Sequence, residues 1–75
     1  MKVLITGGTG TVGRAIIKNG DDEYINISRN EEKIAELSRE HPDVKSYVGN
    51  IEDKSFLLRV FKDVKPDIVI HSAAM

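Results

Sequence analysis

The chain has 75 residues with 11 basic and 12 acidic side chains and no cysteine. That length holds one small domain, which buries only about 60% of its unfolded surface, and charges this evenly scattered leave no basic stripe to favour nucleic acid. Disulfides and thiolate metal sites are excluded, and with no signal-type opening or membrane-length apolar run the expectation is a cytoplasmic domain with no membrane or nucleic-acid partner and no metal.

Lys2-Val3-Leu4-Ile5 reads as a buried strand, followed at once by Thr6-Gly7-Gly8-Thr9-Gly10-Thr11-Val12-Gly13 and the helical stretch Val12 to Lys18. Gly7, Gly10 and Gly13 are spaced by three, and Gly8, Gly10 and Gly13 also satisfy G-x-G-x-x-G. The leading glycine permits a tight turn off the strand. Gly10 removes a side chain that would hold phosphate oxygens away from backbone amides, and Gly13 lets helix and strand approach closely. The opening amides of the helix, Val12 among them, and the positive end of its dipole then face an anion. Thr9 and Thr11 supply hydroxyl donors. Strand before and helix after is the context that makes this a dinucleotide phosphate loop. A mononucleotide P-loop is disfavoured: in G-T-G-T-V-G-R-A, Arg14 replaces the lysine and Ala15 the magnesium-binding hydroxyl.

Gly20-Asp21-Asp22 breaks the first helix, and Tyr24-Ile25-Asn26-Ile27-Ser28 alternates as a second strand. Asn30 is placed to cap a second helix, with Glu31 and Glu32 in its first turn. That helix runs to about Glu40, burying Ile34 and Leu37, and Pro42 bars its continuation. Val44 to Val48 is a third strand. Asp53 caps a third helix with the apolar stripe Phe56, Leu57, Val60 and Phe61, and Ile68-Val69-Ile70 is the fourth strand. Both methionines and the Phe56/Phe61 pair read as core, and Tyr24 and Tyr47 as strand aromatics. The alternation implies an α/β fold: a parallel sheet of order 3-2-1-4 with helices on both faces. The runs Val3–Ile5 and Ile68–Ile70 suit central strands covered on both sides. Strands one and four then meet at the switch point where ligands bind.

These segments, T-G-G-T-G-T-V-G, I-S-R-N-E-E-K, V-G-N-I-E-D and D-I-V-I-H-S-A-A-M, resemble the extended short-chain dehydrogenase/reductase superfamily. Within it they are most similar to the nucleotide-sugar 4,6-dehydratases acting on UDP-N-acetylglucosamine in polysaccharide biosynthesis, with epimerases nearby. The resemblance implies that residues 1–75 are the N-terminal part of an NAD(P)-binding Rossmann domain, a partial Rossmann fold.

The same resemblance assigns cofactor roles. The end of the second strand selects the cofactor, and an acid there would accept from the ribose of NAD. Here stand Ser28, Arg29 and Asn30, with Lys33 one turn on; a guanidinium pairs with a 2′-phosphate through two hydrogen bonds. NADP is therefore expected over NAD, the alternative being that Arg29 is a solvated cation neutralised by Glu31 and Glu32. Asn50 takes the place of an adenine-binding Asp, or else bonds its own backbone. Ile51 would pack on adenine. Ala73 and Ala74 leave room for ribose and diphosphate, and Ser72 is a candidate donor. His71 reads as a structural strand residue.

The superfamily's catalytic Tyr-x-x-x-Lys has no counterpart: Ser28 follows Tyr24 by four and Ile51 follows Tyr47 by four. No catalytic residue is assigned. The resemblance implies a longer parent that oxidises a nucleotide sugar at C4, eliminates water across C5–C6 and returns hydride at C6. The alternatives are a stand-alone dinucleotide-binding module or redox sensor without chemistry and, less compatible with Ser28-Arg29, a methyltransferase using S-adenosylmethionine. A fourth strand lacking an outer neighbour leaves an edge expected to drive self-association.

Overall fold

The computed structural model describes residues 1–72 and gives seven elements in strict alternation: β1 (Lys2–Thr6), α1 (Thr11–Asn19), β2 (Glu23–Ser28), α2 (Glu31–Glu40), β3 (Lys45–Val48), α3 (Lys54–Val64) and β4 (Ile68–His71). The four strands form one parallel sheet of order β3-β2-β1-β4. Parallel neighbours require crossovers, and each crossover here is one of the three helices. The order and the elements match those read from the sequence.

Pleating sends successive side chains to opposite faces, so β1 feeds two cores. Val3 and Ile5 join Ile17 of α1, Leu37 of α2, Tyr24 and Val44 on one face. On the other, Leu4 meets Ile25, Ile27, and Val60 and Val64 of α3, with Phe56, Leu57, Tyr47 and Ile51 packed at its margin. The helices therefore cover both faces.

Local chemistry sets the helix starts. Asn30 Oδ1 accepts from the Lys33 N–H at 3.1 Å and Asp53 Oδ1 from the Phe56 N–H at 3.2 Å, each satisfying an amide that the helix cannot. The third helix stops where Lys65 turns left-handed, at φ 51°, with its N–H on the Phe61 carbonyl.

Four expectations need correction. Ile68 and Val69 are exposed, so β4 is not covered on both faces as β1 is. An apolar run alone does not distinguish a central strand from an edge, and among the described residues β4 has β1 on one side only. Phe61 is exposed, because α3 points Val60 and Val64 at the sheet and turns the next residue outward. Met1 precedes β1 and is exposed, outside both cores; Met75 lies outside the described residues. Ile34 is half-buried, while Leu37 is completely so.

Candidate functional site

All four strands run the same way, so the segments after Thr6, Ser28, Val48 and His71 gather at one end of the sheet. The residues singled out in the sequence, 7–13, 28–30, 50–51 and 72, lie in those segments or open the helix that follows. Ala73 and Ala74 fall outside the described residues.

The turn after β1 is built by its glycines. Gly7 has φ 81°, a left-handed conformation that a side chain disfavours, so it rather than Gly8 is the turning residue. A Cβ on Gly13 would stand 2.5 Å from Gly8 Cα and 2.6 Å from the Gly7 carbonyl oxygen. That close approach brings the start of α1 against the turn. Gly10 is exposed and a Cβ there would find only the Gly7 oxygen, at 3.5 Å. Its missing side chain opens space above the turn.

Hydrogen bonds sort the turn's amides into two sets. Gly7 N–H donates to the Ile27 carbonyl and Gly10 N–H to the Gly7 carbonyl, both at 3.0 Å. Gly8 N–H donates to Asn26 Oδ1 at 2.6 Å. The amides of Thr11, Val12 and Gly13 have no acceptor among the described residues, as befits the first turn of a helix. Those three N–H groups, with the dipole behind them, form an anion-binding end. Thr11 and Val12 are exposed there; Thr9 is buried.

Arg14 turns to the second helix. Its Nε donates to the Thr9 carbonyl at 3.0 Å, and its terminal nitrogens reach Glu40 at 2.7 Å and Glu36 at 3.3 Å. Two carboxylates thus occupy the guanidinium that stands where a mononucleotide loop would aim a lysine at phosphate. Ser72 also works on the turn: its hydroxyl donates to the Thr6 carbonyl at 2.8 Å, and its single proton is thereby used. His71 Nδ1 shares a hydrogen bond of 2.6 Å with Thr6 Oγ1, in keeping with a structural strand residue.

The second-strand end is more open. Ser28 Oγ accepts from the Asn30 N–H at 3.2 Å, and the Asn30 side-chain oxygen serves its cap, leaving the amide nitrogen. Arg29 is exposed, beside a shallow depression it shares with Asn30, Glu31 and Glu32, and has no ion pair among the described residues. Lys33 is exposed one turn further on. Asn50 Oδ1 accepts from its neighbour Glu52 N–H at 2.9 Å. This is the local bond anticipated as the alternative for that residue, and it leaves one oxygen lone pair and the amide nitrogen. Ile51 is half-buried against the α3 core.

Sequence reasoning missed Asn26 and Arg14. The only signals were an amide in the middle of an otherwise apolar strand and the spacing of four between Glu36 and Glu40. At the opposite end of the sheet a cleft is lined by Asp21, Asp22, Glu23, Glu40 and Asp43 with Tyr24. Among the described residues there is no His, Asp or Glu cluster that could hold a metal, and no helix long and apolar enough to cross a membrane.

The chain is 37% identical over 89 residues to the dTDP-glucose 4,6-dehydratase of Salmonella typhimurium, covering 99% of this chain and 23% of that protein. It is 38% identical over 80 residues to the UDP-N-acetylglucosamine 4,6-dehydratase (inverting) of Campylobacter jejuni, covering 97% of this chain and 23% of that one. The chain thus spans about a quarter of the length of these relatives. The crystal structure of the Bordetella bronchiseptica enzyme WbmG in complex with NAD superposes with a TM-score of 0.79 at 30% identity, over 100% of this chain and 25% of that one. Residues 3–75 match the family model described as "NAD dependent epimerase/dehydratase family", and the chain belongs to that family.

Proposed function

We propose that this chain is the adenosine-diphosphate-binding segment of a nucleotide-sugar dehydratase or epimerase, selective for NADP over NAD. The observation that carries the reading is the set of three amides, Thr11, Val12 and Gly13, unpartnered among the described residues, at the mouth of a turn pressed against α1. They would hold the diphosphate, with the space above Gly10 admitting it. The exposed guanidinium of Arg29, without an ion pair among the described residues and supported by Lys33, would pair with a 2′-phosphate. Asn50, through its remaining lone pair, and Ile51 would meet the adenine. Ala73 and Ala74, outside the described residues, keep their proposed place beside ribose and diphosphate.

Such a cofactor supplies a hydride acceptor when bound; the residues of this chain bind and orient its adenosine half. Because no Tyr-x-x-x-Lys is present, sugar turnover in this reading requires a longer parent, in which the nucleotide sugar would be a second partner. The relatives' substrates, a dTDP-glucose in one and a UDP-N-acetylglucosamine in the other, motivate that proposal. The exposed β4 edge is proposed to pair with another copy, and the location to be cytoplasmic.

Titration of labelled protein with NADP and NAD, followed by NMR, tests the assignment. Shifts of the Gly7–Gly13 amides with tighter binding of NADP are expected. Amides that stay unmoved at millimolar dinucleotide would refute the phosphate site, and tighter NAD would refute the selectivity.

A further inference from the structure

Asn26 sits in the middle of β2, completely buried. Strand interiors disfavour asparagine, and burying a carboxamide is unfavourable unless every part of it is bonded. Here both ends are used. The oxygen accepts from the Gly8 N–H at 2.6 Å, and the nitrogen donates to Ser46 Oγ of β3 at 3.3 Å. Only the oxygen can accept from an N–H, so the Gly8 amide fixes which end faces the turn, and the nitrogen is left for Ser46 Oγ. Gly8 fits the same arrangement, because a Cβ there would stand 2.5 Å from Asn26 Oδ1.

We propose that Asn26 is a positioning residue for the phosphate turn: by taking the Gly8 N–H inward it fixes that peptide, and so sets the direction in which the Thr11, Val12 and Gly13 amides point. An apolar residue at 26 would leave the Gly8 N–H buried and unbonded, and the turn would rotate to find it water. The consequence for binding rests on the dinucleotide reading above. The hold on the turn does not.

The test combines amide hydrogen exchange with NADP titration on the wild type, Asn26→Leu and Asn26→Asp. Leucine matches the side chain in size and cannot accept; aspartate keeps an acceptor. Asn26→Leu is expected to speed Gly8 exchange at least tenfold and weaken NADP about tenfold, the scale of one lost buried acceptor, while the Leu4 and Ile25 amides stay protected. Asn26→Asp is expected to stay within about threefold of wild type, on the same scale. Unchanged Gly8 exchange and affinity in Asn26→Leu would overturn the proposal, as would equal losses in both variants. If Asn26→Leu loses core protection, the wild type decides: Gly8 must exchange at least about tenfold more slowly than Thr11, whose amide has no acceptor among the described residues, and equal rates overturn the proposal. Should NADP leave the wild type unmoved, the dinucleotide reading fails, while Gly8 exchange still upholds or overturns the hold of Asn26.

Discussion

Gly13 and Gly10 separate what the turn needs for folding from what it needs for binding. Gly13 lies inside α1 with helical backbone, where alanine would ordinarily stabilise by about 1 kcal/mol. A Cβ there, however, would stand 2.5 Å from Gly8 Cα, 2.6 Å from the Gly7 oxygen and 2.9 Å from Gly8 C. Carbon contacts relax at about 3.5–4.0 Å, so at least an ångström must be recovered, and every obstructing atom is backbone. Overpacking of that kind costs about 1–3 kcal/mol or more. With only backbone atoms in the way the upper end of that range applies, and after the helix gain of about 1 kcal/mol Gly13→Ala should lose about 2 kcal/mol in urea unfolding. Gly10→Ala places its methyl 3.5 Å from the Gly7 oxygen, an ordinary contact, at an extended N-cap where alanine costs roughly half a kcal/mol. Its fold should survive while NADP binding weakens at least tenfold, since the methyl would occupy the space the diphosphate needs. A Gly13→Ala variant as stable as wild type would refute the close-approach argument. A Gly10→Ala variant with undiminished affinity would refute the placement of the phosphate.

Arg29→Ala should weaken NADP about tenfold, the scale of a charge-assisted pair in partial solvent, and leave NAD within twofold; isothermal titration with both cofactors decides, and equal losses would assign Arg29 to a general field. Asn30→Ala should lower stability by about 1 kcal/mol through the lost Lys33 amide bond, read as a lower urea midpoint with unchanged slope. Sedimentation should show mass rising with concentration if the β4 edge pairs between copies, and Val69→Lys, placing a charge on the exposed strand, should restore the monomer. A monomeric wild type at high concentration would discard the edge-pairing idea.

The sheet order was legible because apolar runs and helix stripes alternate without ambiguity, and the Asn30 and Asp53 caps because each is a short polar side chain just ahead of a helix. The phosphate turn was legible through glycine spacing. Its supports were not. Asn26 reads as an interruption of β2 until the fold lays Gly8 over it, and Arg14 reads as a failed P-loop lysine until α2 brings Glu36 and Glu40 alongside. Ser72 reads from the sequence as a candidate donor, and only the β1–β4 pairing shows the Thr6 carbonyl as an acceptor for it. Exposure at β4 and Phe61 was illegible for a related reason: hydrophobicity records what a residue can bury against, not whether a neighbour is there.

The acidic cleft gives the molecule an electrical polarity along its strands. Asp21, Glu23 and Asp43 have no ion pair among the described residues, and they sit where α1 and α2 end. The negative poles of those helices add to the carboxylates, while the positive poles open at the glycine end. The molecule spans 29 × 26 × 21 Å, and at physiological salt fields fade over about 8 Å. A polyanion docking at the amides is therefore shielded from the repulsive far rim, despite a net charge of −1. Dilution to about 0.01 M salt stretches that reach to roughly 30 Å, long enough for the rim to oppose docking at the opposite pole.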